Sequence, residues 1–200
     1  EASGLIRDVD QWVLQHALEL IAGHPGLRLA INLSARSLDN PELPVQLHGM
    51  LAERGIKPQQ VILEITETAA LTQMTHAEIL LAGIHALGCK LALDDFGVGF
   101  ATFQYLKHLP VDYVKIDGSF IRGILHSPTE RAMVESINQI AHVMGKQTIA
   151  EFVEDDAVLA CLRAMGVDFA QGYGVGRPQP LPEWQAANKA AKTSQIDALS

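Results

Sequence analysis

The stretch from Met74 to Asp95, MTHAEILLAGIHALGCKLALDD, holds one complete structural unit. Apolar residues recur at three- and four-residue spacing as far as Leu87, which predicts a helix over Met74 to Leu87. Gly88 then supplies a left-handed stop, and the short run Lys90 to Asp94 reads as a strand. That strand ends on two adjacent acids, Asp94 and Asp95. Outward from this unit the same joint recurs, because Gly55, Gly145 and Gly166 also follow a helical period and precede an apolar run.

In all, six short apolar runs read as strands: Leu27 to Leu33, Gln60 to Ile65, Lys90 to Asp94, Asp112 to Ile116, Gln147 to Ala150 and Val167 to Ala170. Helices are predicted over Pro41 to Arg54, Met74 to Leu87, Phe100 to His108, Pro128 to Met144, Asp155 to Met165 and Pro182 to Lys192. Strand alternating with helix implies βα units on a parallel sheet. A dinucleotide-binding fold would carry a glycine-rich loop after its first strand, and none follows Leu33 or Ile65. The reading is therefore an α/β fold of the (β/α)8 TIM-like barrel type. A complete barrel takes about 250 residues; this chain has 200 and opens on a predicted helix, Leu5 to Ala22. The expectation is one domain over residues 1–192 that lacks its first strand or strands, with 193–200 a polar tail or linker.

Composition narrows the function. Hydrophobic residues make up 48% of the chain and charged ones 19%, enough for one substantial core. No run is long enough to cross a bilayer, and Cys89 and Cys161 lie in apolar periodic stretches as reduced core residues would, so a cytoplasmic domain is expected. The balance of 23 acidic against 15 basic residues gives a net charge of −8, which argues against DNA as a partner. An anionic ligand would need cations between it and such a surface.

Barrel chemistry gathers at the C-terminal ends of strands. Here the first run finishes at Asn32 with Ser34, the second at Glu64 with Glu67 and the third at Asp94 and Asp95; the rest end at Lys115 with Asp117, Glu151 with Glu154, and Gln171. Wet strand ends are ordinarily polar, but carboxylates converging on one rim repel one another unless protonated or bridged by cations. Oxygen ligands without histidine or cysteine select hard ions, Mg²⁺, Mn²⁺ or Ca²⁺, over zinc. The adjacent Asp94 and Asp95 offer a corner that two ions could share, as in two-metal phosphoester cleavage. Lys115 reads either as a fixed positive charge beside such ions or as a structural partner of Asp94 or Asp117.

The strings Asn32-Leu33-Ser34, Glu64-Ile65-Thr66-Glu67, Asp94-Asp95-Phe96-Gly97-Val98-Gly99, Lys115-Ile116-Asp117, Ala150-Glu151-Phe152-Val153-Glu154 and Gln171-Gly172-Tyr173 resemble, in order and spacing, the EAL-domain phosphodiesterases of bacterial cyclic di-GMP signalling. The resemblance implies a modified barrel that uses Mg²⁺ or Mn²⁺ in a two-metal site to hydrolyse cyclic di-GMP to linear pGpG, and it leaves inhibition by Ca²⁺ open. It implies that Asn32, Glu64 and Asp94 hold one metal and that Asp94, Asp95 and Glu151 surround the second. Lys115 is then similar to the lysine that contacts the attacking water. Glu67 corresponds to the glutamate bracing the loop after Asp95, and Glu154 and Gln171, with Asn32, to residues lining the substrate and water site. The family also implies a homodimer through the loop and helix after Asp95, and upstream sensory or GGDEF-type domains in a parent that could be membrane-tethered.

Departures from the family pattern are visible. The Glu-Ala-Leu signature is absent, as expected if it lies on a strand before residue 1. Phe152 stands where the commonest pattern has glycine, and Val98, Phe100, Ala101 and Thr102 replace small hydroxyl and tyrosine residues. Altered loop packing is expected more than lost chemistry. The rival reading is a catalytically inactive receptor or dimerisation module. The eight histidines lack paired ligand spacing and read as structural; Arg36 and Arg177 read equally as anion contacts or surface salt bridges, and Trp12 and Trp184 as packing residues.

Overall fold

The structure, a computed structural model, describes residues 2–72, 74–98 and 103–181. Helix α1 (Ala2–Gly23) leads into strand β1 (Leu29–Asn32), and α2 (Leu43–Arg54) into β2 (Val61–Thr66). A short α3 (Glu67–Thr72) and α4 (Met74–Ala86) precede β3 (Lys90–Phe96). Then come α5 (Phe103–Leu106), β4 (Tyr113–Ile116), α6 (Gly118–Ile121), α7 (Pro128–Val143), β5 (Gln147–Ala150), α8 (Asp156–Ala164) and β6 (Phe169–Ala170). The strands pair in sequence order, every neighbour parallel, as successive βα units of a barrel require. The glycine stops behave as expected: Gly55, Gly88, Gly145 and Gly166 all have positive φ at 62°, 96°, 72° and 76°.

All six predicted strands exist; β1, β4 and β6 are shorter than expected, β2 is shifted by one residue to end at Thr66, β3 runs on past Asp94 to Phe96, and β5 keeps its bounds. The last is only Phe169–Ala170, because hydrogen bonding to β5 begins at Phe169 rather than at Val167. The helix expected over Phe100 to His108 is confined, among the described residues, to Phe103–Leu106. The expected helix over Pro182 to Lys192, Trp184, the tail 193–200 and the loop residues Phe100 to Thr102 lie outside the described residues. Two short helices were not expected. Thr66 Oγ1 accepts from Ala69 N at the start of α3, and Asp117 accepts from Ser119 N at 2.8 Å at the start of α6.

The central strands β2 to β4 are buried on both faces, whereas β1 leaves Ala30 and Asn32 exposed. Val61, Leu63 and Ile65 of β2 are fully covered and pack with the helices, while Ile62, Ala92, Tyr113 and Ile149, with Phe169, form a separate apolar layer across the sheet. No described helix is long and apolar enough to cross a membrane. At the N-terminal strand ends, polar groups lock neighbouring units together. Asp168 Oδ2 lies 2.7 Å from His142 Nε2 and accepts from Thr148 N at 2.8 Å and from Thr148 Oγ1 at 3.2 Å.

Burial pushes the Asp168 carboxyl up, but these bonds from His142 and Thr148 outweigh it and hold the group below its ordinary value. A carboxyl lowered in the folded state stabilises above its unfolded value and ceases to as pH falls through the folded one. Asp168→Ala, which strips Thr148 N of its partner, is expected to cost about 2–3 kcal/mol at neutral pH in urea denaturation. The difference from wild type should shrink below about pH 4.

Candidate active site

Side chains two apart along a strand share a face. Two residues beyond the apolar layer of Ile62, Ala92, Tyr113 and Ile149 therefore come Glu64, Asp94, Lys115 and Glu151, a polar row at the C-terminal ends of four adjacent strands. Asn32, opposite Glu64 in the β1–β2 register, extends the row to an exposed position on β1, and Gln171 follows β6. Alternation alone thus sends the chemistry-bearing residues to one face and one end of the sheet.

Lys115 is the hub. It is 3% exposed, and its Nζ lies 2.8 Å from Asp94 Oδ1, 2.8 Å from Glu151 Oε1 and 3.3 Å from Glu64 Oε2. Of the two structural partners considered for it, Asp94 is engaged and Asp117 instead caps α6. Burial pulls the ammonium's pKa down, yet the charge of Glu64 and the bonds to Asp94 and Glu151 reverse that and raise it, so Lys115 stays protonated. Glu64 and Glu151 are both pushed up by burial, against the pull of Lys115. Asp95 is raised by burial and by repulsion from Asp94 and Asp117.

Asp94, Asp95 and Glu151 each offer an oxygen within 4.8 Å of the others. Adjacent strand residues ordinarily point to opposite faces. The β3–β4 register slips between Leu93 and Phe96, and Asp95 takes a left-handed φ of 56°. This bulge lets both neighbouring carboxylates join one cluster. Three carboxylates, from Glu64, Asp94 and Glu151, thus surround one ammonium, and Asp95 adds a fourth beside Asp94 and Glu151. That excess of negative oxygen ligands fits divalent hard cations.

The loops around the cluster are pinned from outside it. Glu67, 2% exposed at the start of α3, accepts from Gly97 N at 2.8 Å. Gly97 has φ of 103°, and a Cβ there would meet Phe120 at 2.9 Å, so glycine is required. Asp10 of α1 accepts from Ser34 N and Oγ and from Ser37 Oγ, tying down the segment that leaves Asn32. Nothing in the local sequence marked Asp10, since its partners lie over 20 residues away. Glu154 and Gln171 are exposed at the ends of β5 and β6, outside the lysine-centred cluster. Arg36 makes an exposed pair with Asp39, whereas Arg177 lies 4.9 Å from the Tyr173 ring centroid. Cys89 is buried, Cys161 half-buried, and both are free thiols.

Fold and site together define a β/α-barrel domain with an acidic, lysine-centred site suited to hard metal ions. The chain belongs to the EAL domain family, whose model matches residues 1–178. It is 40% identical over 182 residues to cyclic di-GMP phosphodiesterase PdeF of Escherichia coli, covering 89% of this chain and 24% of that protein. It is 42% identical over 156 residues to cyclic di-GMP phosphodiesterase PdeB of Shewanella oneidensis, covering 78% of this chain and 18% of that protein. The chain thus spans about a quarter or less of the length of these curated relatives. The FimX EAL domain from Pseudomonas aeruginosa bound to c-di-GMP superposes with a TM-score of 0.84 at 32% identity, covering 89% of this chain and 73% of that one.

Proposed function

We propose that this chain is a metal-dependent phosphodiesterase domain that hydrolyses cyclic di-GMP to linear pGpG. The observation that carries the reading is the convergence of Glu64, Asp94 and Glu151 on the buried ammonium of Lys115, with Asp95 clustered beside Asp94 and Glu151. The names of PdeF and PdeB and the ligand of the FimX structure support the choice of substrate. Asp94, Asp95 and Glu151, with Glu64 and Asn32, are the residues that would hold two Mg²⁺ or Mn²⁺ ions. Such a pair, when bound, supplies positive charge to the phosphate and an activated water.

The chain's own groups do the rest. Lys115, already oriented by three carboxylates, holds a donor toward the attacking water and the charge that builds on phosphate. Glu67 keeps the loop after Asp95 at a fixed distance from the metal corner through Gly97 N. Glu154 and Gln171 line the substrate and water side of the β5 and β6 ends. The segment after Asp95 borders a groove with apolar walls from Phe96, Phe103, Met133 and Ile137, and there a homodimer would form. Upstream sensory or GGDEF-type domains in the parent would control activity in the cytoplasm.

The test is to incubate the complete protein with Mn²⁺ and cyclic di-GMP and to separate the nucleotides by chromatography. Linear pGpG, abolished by chelator, is the expected result. Tight binding with no product would instead establish a receptor, and neither binding nor product would end both readings.

A further inference from the structure

Asn32 is positioned differently from the carboxylates with which it would share a cation. Lys115 bonds Glu64, Asp94 and Glu151 and so orients all three. Asn32 is exposed at the end of β1, and among the described residues its amide makes no hydrogen bond. Its strand is also an edge, pairing among the described residues with β2 alone. The place of the amide therefore depends on its backbone. On the β2 side Leu33 N donates to Glu64 O at 2.8 Å. The restraint from elsewhere in the fold comes from α1.

Two residues past Asn32 the chain makes a tight turn, Ser34 to Ser37, closed by Ser37 N donating to Ser34 O at 3.0 Å. The hydroxyls of its first and last residues both donate to Asp10 Oδ2, and Ser34 N donates to the same oxygen at 3.3 Å. Among the described residues Asp10 has no lysine, arginine or histidine within ion-pair distance, so its charge meets these three donors instead. Ser37 is buried, which keeps water from competing for the carboxylate. Hydrogen bonds to an ionised acceptor are about twice as strong as neutral ones, so one side chain of α1 clamps both ends of the turn. We propose that Asp10 is a positioning residue for Asn32: through the Ser34 to Ser37 turn it fixes the amide ligand, and so sets the affinity of the cation that Asn32 shares with Glu64 and Asp94.

This inference rests on the metal-dependent reading, and its test separates the two. The complete protein is titrated with Mn²⁺ by calorimetry as wild type, Asp10→Ala, Asn32→Ala and the double variant. Wild type is expected to show two binding events. Asp10→Ala should weaken one of them about tenfold, the loss typical of a residue that orients a metal ligand, and the Mn²⁺ concentration for half-maximal cleavage should rise with it. In the Asn32→Ala background the same change should cost nothing further, because the two residues act as one unit. Ser34→Ala combined with Ser37→Ala removes both hydroxyl donors without altering α1 and should reproduce the loss. Asp10→Asn keeps an acceptor oxygen at the same reach and should recover most of the affinity. A tether that serves the fold alone would lower melting temperatures in chelator and leave Mn²⁺ affinity unchanged. That result, or an equal further loss in the Asn32→Ala background, would overturn the clamp and leave the metal site standing. Weakened Mn²⁺ uptake in Asp10→Ala, in a protein that never cleaves cyclic di-GMP, would keep the clamp and overturn hydrolysis. No uptake by wild type would overturn the metal site and the clamp with it.

Discussion

Lys115→Met is expected to lower hydrolysis of the cyclic dinucleotide by about 100- to 1,000-fold, the usual loss when one preorganised charge is removed from a site of developing negative charge. Stability should register the change as well. In chelator the variant leaves Glu64, Asp94 and Glu151 facing one another without their ammonium. Removing one partner of a buried ion pair costs about 3–5 kcal/mol. Protonation of the two glutamates, already pushed up by burial, will absorb part of that cost. Mn²⁺ should return most of the lost stability, because cations replace the missing charge, but not the lost turnover. Thermal melts with and without Mn²⁺, beside the rate assay, check both halves. Full activity in the variant would reduce Lys115 to a structural counter-ion.

The same groups fix how the metal-free wild-type protein responds to pH. Carboxyls raised in the folded state stabilise below their unfolded values, and that contribution is lost as pH rises through the folded ones. Glu64, Glu151 and Asp95 are all raised, with burial the first cause of each. The metal-free fold is therefore expected to weaken as pH rises above about 4, and Mn²⁺ to flatten that slope. An unchanged slope with saturating Mn²⁺ would show that the cations bind elsewhere.

Much of this architecture was legible because strands and helices write different periods. The helix stop at Gly88 and a strand over Lys90 to Asp94 follow from spacing alone, though the strand runs on to Phe96, and the two-residue alternation carries Glu64, Asp94, Lys115 and Glu151 to one face. The register between strands was not legible, so the slip after Leu93 that turns Asp95 into the cluster stayed hidden. Helices α3 and α6 are too short to show a period, and the caps that start them look like ordinary polar strand ends. Contacts across the fold were invisible too. Asp10 reaches Ser34 and Ser37 from another helix, and Phe152 is coupled to Arg122 of α6. The family resemblance marked Phe152 as a departure from glycine, and its φ of 52° gives that departure a physical meaning.

Asp95→Asn should be the more discriminating variant at the metal corner. Asparagine adopts the left-handed region as readily as aspartate, so the bulge and the φ of 56° survive while the charge is lost. Removing that carboxylate lowers the repulsion on Asp94 and Glu151, and the fold should gain slightly in chelator. Activity should fall about 100-fold or more, because the second cation loses an anionic ligand from the side where charge develops on phosphate. Calorimetry with Mn²⁺ should then show one of two binding events lost or strongly weakened. Asp95→Gly separates geometry from charge: it keeps the backbone and removes all ligand atoms, so it should match Asp95→Asn in metal uptake. If Asp95→Asn binds and cleaves as wild type, Asp95 serves the bulge alone, and the cluster with Asp94 and Glu151 holds a single ion at most.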